Sequence, residues 1–154
     1  MSRKRENVRQ CKVIRQLIDD NKYTKALELI DAIPLEEVGS LDDLYRYAEL
    51  YEKAERMDKK KEIFYHIYHR THSRYMLNRL LRLTIRMGDM EEARELYFAY
   101  EVAGPITLDT FELRYLLAKA EGEPPERLIQ ILEELKKEEY TEEWGFRLAC
   151  LYEK

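Results

Sequence analysis

The sequence predicts an all-helical chain built from pairs of helices, and three observations carry that expectation. Turn-forming residues are scarce, with five glycines and four prolines in 154 residues. Good helix formers (Leu, Glu, Lys, Arg, Ala) dominate, and apolar residues recur at helical spacing almost throughout. The helical segments also repeat. Frames that begin at Asn7, Leu41, Arg74, Leu108 and Thr141 step by 34, 33, 34 and 33 residues.

Each element follows from its own residues. Val13, Ile14, Leu17 and Ile18 mark one face of a first helix, and Ala26, Leu27, Leu29, Ile30 and Ile33 mark a second. The break at Asn21-Lys22-Tyr23 joins them, and Pro34 ends the second because its ring disfavours helix at the residue before it. Ser40 suits the N-cap of a third helix, with Asp42 and Asp43 in the first turn where the helix dipole favours negative charge. That helix carries Leu44, Tyr47, Ala48 and Tyr51; a fourth carries Ile63, Phe64, Ile67 and Tyr68. A fifth carries Leu77, Leu80, Leu81 and Ile85 and stops at Gly88; Asp89 caps a sixth with Ala93, Leu96, Tyr97 and Tyr100. Gly104-Pro105 ends the sixth, and a seventh runs from Leu108 to Glu121. Pro125 suits the first position of an eighth helix, which carries Leu128, Ile129, Ile131, Leu132 and Leu135. A ninth starts near Thr141 with Trp144, Leu148 and Leu151.

A step of about 34 residues, each a helix–turn–helix, resembles the tetratricopeptide repeat family. The third unit carries the resemblance best. Leu77 stands at position 4, Leu80 and Leu81 at 7 and 8, Gly88 at 15, Ala93 at 20, Tyr97 at 24 and Pro105 at 32. Small residues at 8 and 20 let paired helices approach closely, and the aromatic at 24 fills the gap toward the next pair. The second unit has Ala48 at 8 and Phe64 at 24 but Lys60 at 20; the first has Ala26 at 20 and closes early, at Pro34. The fourth lacks the alanine, and the fifth has Trp144 at 4 and Leu148 at 8 before the sequence stops at Lys154. The resemblance implies one α–α superhelix over residues 1–154, a solenoid of about four and a half helix pairs, with units near 7–40, 41–73, 74–107 and 108–140 and a partial unit at 141–154. The apolar last helix makes an awkward end for a solenoid. It is expected to continue into a longer protein or to pack on a partner, a second copy of this chain included.

Composition narrows the function classes. Charged residues make up 38% and hydrophobic residues 45%, too apolar for a disordered chain and too charged for a membrane protein. No apolar run approaches the ~20 residues that span a bilayer, and no apolar segment follows the basic start at Arg3-Lys4-Arg5. Cys11 and Cys150, far apart in sequence, fit a reducing cytoplasm better than a disulfide framework. The net charge of −4 argues against nucleic acid.

Nothing in the sequence assembles catalytic chemistry. The five glycines are scattered, no Cys-x-x-Cys or His-Glu-x-x-His occurs, and Ser2, Ser40 and Ser73 sit in no nucleophile elbow. Runs such as Glu133-Glu134, Lys136-Lys137 and Glu138-Glu139 read as a solvated helix face. His66, His69 and His72 share helical spacing, but no nearby Cys, Asp or Glu completes a metal site. They read as exposed or turn-capping residues, and no cofactor or metal is expected.

The sharpest feature surrounds them. From Ile63 to Gly88 there is no acidic residue, while Arg79, Arg82 and Arg86 step by three and four and form one stripe. The resemblance implies that the first helix of each pair lines a concave groove. A basic stripe there would attract an acidic peptide or a terminal carboxylate; the alternative is internal pairing with Glu49, Glu91, Glu92 or Glu95. The family subclass that grips a terminal carboxylate through Lys and Asn is matched only at Arg79, since Arg15, Arg46 and Tyr75 stand at the other positions. The sequence therefore points to a non-catalytic protein-interaction scaffold, with Tyr45, Glu49, Asn78, Arg79, Arg82 and Arg86 as groove residues and an acidic protein or peptide as partner. Nucleic-acid binding through the central arginines and tyrosines, or docking within a larger enzyme, is the alternative.

Overall fold

The computed structural model describes residues 2–138, with side chains for 5–135 and 137. Among them there are eight α-helices and no strand. The helices are α1 (Ser2–Asp19), α2 (Tyr23–Ala32), α3 (Leu41–Lys53), α4 (Met57–Thr71), α5 (Arg74–Met87), α6 (Met90–Val102), α7 (Leu108–Ala120) and α8 (Pro125–Glu138), with a 3-10 turn at Leu35–Glu37 before α3. The ninth helix expected around Trp144, Leu148 and Leu151, and with it Cys150 and the C-terminal self-association surface, lies outside the described residues.

Local chemistry explains the boundaries. The Ser40 hydroxyl accepts from the Asp43 N–H, Ser73 does the same for Met76, and Asp89 does so for Glu92. Each satisfies a helix-start donor that has no partner within its own helix. Thr107 and Thr110 close a reciprocal capping box at the start of α7. Gly88 ends α5 in the left-handed conformation, at φ 84°, where the lack of a Cβ removes the steric cost.

The four turns between paired helices share one backbone device. Asn21, Glu55, Gly88 and Gly122 all have positive φ, and all stand at position 15 of the four units. Their spacings are 34 (55 − 21), 33 (88 − 55) and 34 (122 − 88), the same steps that the sequence frames give. Asn tolerates this conformation better than most side chains; Glu has no such excuse. Glu55 is exposed, at φ 59°, so Glu55→Gly is expected to stabilise the protein by up to about 1 kcal/mol, the strain relieved minus the extra backbone entropy of glycine. A urea melt checks this, and a variant less stable than wild type would contradict it.

Contacts divide the chain into two compact units, Met1–His72 and Ser73–Lys154. The division falls one residue from the expected boundary between the second and third repeats. In the first unit α1 packs on α2 and α3 on α4, with α2 also against α3. Its core holds Ile14, Leu44, Tyr47, Ile63, Phe64 and Ile67, each 2% exposed or less. The buried stripe of α1 runs through Cys11 and Ile14, with Leu17 and Ile18 half-buried. Val13, expected on that face, is instead 50% exposed, because a residue adjacent to Ile14 is turned about 100° around the helix.

In the second unit α5 pairs with α6 and α7 with α8, and α7 also touches both α5 and α6. Phe111, Leu128, Ile131, Leu132 and Leu135 form the core of the last pair. The three alanines singled out in the sequence are all in the core: Ala26 and Ala93 are fully buried and Ala48 is 2% exposed. Lys60, which replaces the alanine in the second repeat, is also buried, with its ammonium 3.1 Å from Glu52.

Candidate functional site

The expected groove residues lie on the first helices of two pairs. In the first unit, α3 carries Tyr45, half-buried, and Glu49, exposed. In the second unit, α5 carries Asn78, Arg79 and Arg82, all half-buried, and Arg86, exposed.

The arginines hold helices together more than the sequence suggests. The Arg82 Nε donates to the Asn78 side chain at 2.6 Å, and its Nη1 donates to Glu112 on α7 at 3.2 Å. Internal pairing, the alternative for this stripe, holds for Arg82, through Glu112 on α7 rather than an acid of α3 or α6. Arg79 lies over the Tyr75 ring, 5.8 Å from its centre. Arg74 donates to the Tyr100 carbonyl at 3.0 Å and stacks over that ring at 4.1 Å. Arg70 donates to the carbonyls of Val38 and Gly39, both at 2.8 Å, fastening the segment before α3. So Arg70, Arg74 and Arg82 all serve the fold, which weakens the case for an acidic partner.

Two further arginines, outside the expected groove set, also clamp helices together. Arg15 on α1 grips Asp43 on α3 through two parallel hydrogen bonds, 2.8 Å from Nε and 2.7 Å from Nη2. Asp43 is 3% exposed, and the contact pushes the Arg15 guanidinium further above its already high range. Arg114 on α7 donates to the Tyr97 hydroxyl and to Glu101, both on α6, and to Glu134 on α8. Burial and then Glu101, opposed by Arg114, push the Tyr97 phenol up to about 12. Tyr97 on α6 is thus tied to α7 by its hydrogen bond with Arg114.

A cleft of about 370 Å³ lies in the first unit. Its floor is Ile30, Ile33, Leu35 and Ile63; Asp31, Glu36, Lys59, Glu62, His66 and His69 stand around it. Sequence reasoning passed over this place, although the early close of the first repeat at Pro34 was its one signal. His66 and His69 line the cleft, and His72 ends α4 in the left-handed conformation. Among the described residues no cluster of His, Cys, Asp or Glu has the arrangement of a metal site.

Asp31 at the cleft edge accepts from the Tyr51 hydroxyl and from Arg56, the latter at 3.0 Å. The Tyr51 hydrogen bond holds the carboxyl below the usual carboxylate range; burial opposes this and Arg56 adds to it. A lowered folded pKa means that Asp31 adds stability that is complete above its unfolded value of about 3.9. That contribution is lost as pH falls through the lower folded value. Because the pair is about two-fifths exposed, solvent screening keeps the effect small. Urea melts at pH 5, 4 and 3 are therefore expected to show wild type losing more stability than Asp31→Asn. Parallel losses would contradict the assignment.

No protein-family model, no curated protein and no solved structure matches the chain.

Proposed function

We propose that the chain is a non-catalytic protein-interaction scaffold, a tetratricopeptide-like solenoid of helix pairs that binds a protein or peptide. The observation that carries this reading is the left-handed turn residue recurring at 21, 55, 88 and 122, together with the buried alanines 26, 48 and 93. In such arrays each pair packs only on its neighbours, and the stack leaves an extended concave surface for a ligand. In the first unit that face includes Tyr45 and Glu49; in the second it includes Asn78, Arg79, Arg82 and Arg86. Function is read here from the family resemblance and the exposed faces, since a fold alone hosts many activities.

The test begins with affinity capture and proceeds by titration calorimetry with the recovered protein. Arg82 is a poor site for charge reversal, because a glutamate there would meet Glu112 and confuse binding with folding. Glu49→Lys and Arg86→Glu, at exposed positions, are better. Each is expected to weaken binding about tenfold, or about 1.4 kcal/mol, while Lys119→Glu on an exposed site of α7 leaves it unchanged. A partner indifferent to both groove variants would move the interface elsewhere.

A further inference from the structure

The cleft of the first unit has a chemistry of its own. Its floor is aliphatic, and its charged lining consists of Asp31, Glu36 and Glu62 against the single cation Lys59. Lys59 bridges Glu62 at 3.5 Å, and Asp31 is held by Arg56, the residue just before α4. That leaves Glu36, which is exposed and has no ion-pair or hydrogen-bond partner among the described residues. On the α4 wall, His66 makes no hydrogen bond, and its Nε2 is shut off from solvent. His69 stacks on Tyr65, with ring centres 6.2 Å apart. The uncommitted polar groups are thus a carboxylate, which only accepts, and an imidazole, whose uncharged ring has one accepting nitrogen.

We infer that this cleft receives a long basic side chain, lysine or arginine, from a partner protein. Such a side chain joins an apolar stem to a head that only donates. The stem matches Ile30, Ile33 and Ile63, and the head matches Glu36 and the electron-rich faces of the aromatic wall. An acidic or phosphorylated ligand would meet the unmatched Glu36 carboxylate, while the one lining cation, Lys59, already faces Glu62. A volume of about 370 Å³ falls within the usual range for ligand pockets, ~300–1,000 Å³. That a protein carries the side chain rests on the interaction reading above; the preference for a cation does not.

The experiment is an NMR titration of the full chain, labelled at isoleucine methyls and histidine rings. The probes are butylammonium, butylguanidinium, butanol and butyrate at matched ionic strength. The two cations are expected to shift Ile30, Ile33, Ile63 and His66, and to bind at least about tenfold (1.4 kcal/mol) more tightly than butanol or butyrate. Glu36→Gln should weaken the cations several-fold without changing the thermal melt, because Glu36 holds nothing in the fold. Equal or stronger binding of butyrate or butanol, or cation binding indifferent to Glu36→Gln, would overturn the inference. If the cations bind as expected but no protein partner is captured, the cleft's preference stands and the interaction reading fails. A captured partner with no response to either cation would do the reverse.

Discussion

Replacing Arg15 by alanine is expected to destabilise the first unit by about 2–3 kcal/mol. The Asp43 carboxylate is 4% exposed on its side chain, whereas the Arg15 side chain is 44% exposed. Removing the guanidinium strands a charge that water cannot reach. Breaking a buried pair from one side costs about 3–5 kcal/mol, and the solvated arginine brings the expectation below that range. Asp43→Asn should cost less, because it leaves an exposed arginine rather than a buried carboxylate. The double variant, Arg15→Ala with Asp43→Asn, should be more stable than the sum of the single losses predicts. Additive losses in urea melts would mean that the two side chains do not act together.

Ala93→Leu is expected to cost about 1–3 kcal/mol by overpacking the α5–α6 contact. Ala93 is fully buried, so the three extra carbons must displace neighbouring atoms. Ala120→Leu is the control: the same change at an exposed helix end should move the midpoint by less than about 0.5 kcal/mol. A neutral Ala93→Leu would mean that position 20 of the repeat is not a close-approach site, and the repeat alignment would fall with it.

The helices were legible because their signals are local. Ser40, Gly88, Asp89 and Pro125 act on the backbone within a few residues, and each stands at the boundary it predicts. The helix-pair spacing was legible because the turn residues that take positive φ recur at 21, 55, 88 and 122. Charge pairing was less so. The Arg82 partner, Glu112, lies thirty residues on, and the Arg15 partner, Asp43, lies twenty-eight on. Nothing in local spacing selects those acids from the many others. The cleft was hidden for a related reason: it collects residues from α2, the 3-10 turn, the end of α3 and α4, and only packing brings them together. Val13 shows the limit of periodicity itself, since one residue of phase separates the buried Ile14 from its exposed neighbour.

The most direct test of the interaction reading is hydrogen exchange, followed by mass spectrometry, on the chain with and without its captured partner. Exchange is expected to slow in 41–53 and 74–87, the first helices of the second and third pairs, and at the cleft segment 30–37. No slowing in either first helix at a saturating partner concentration would contradict the account.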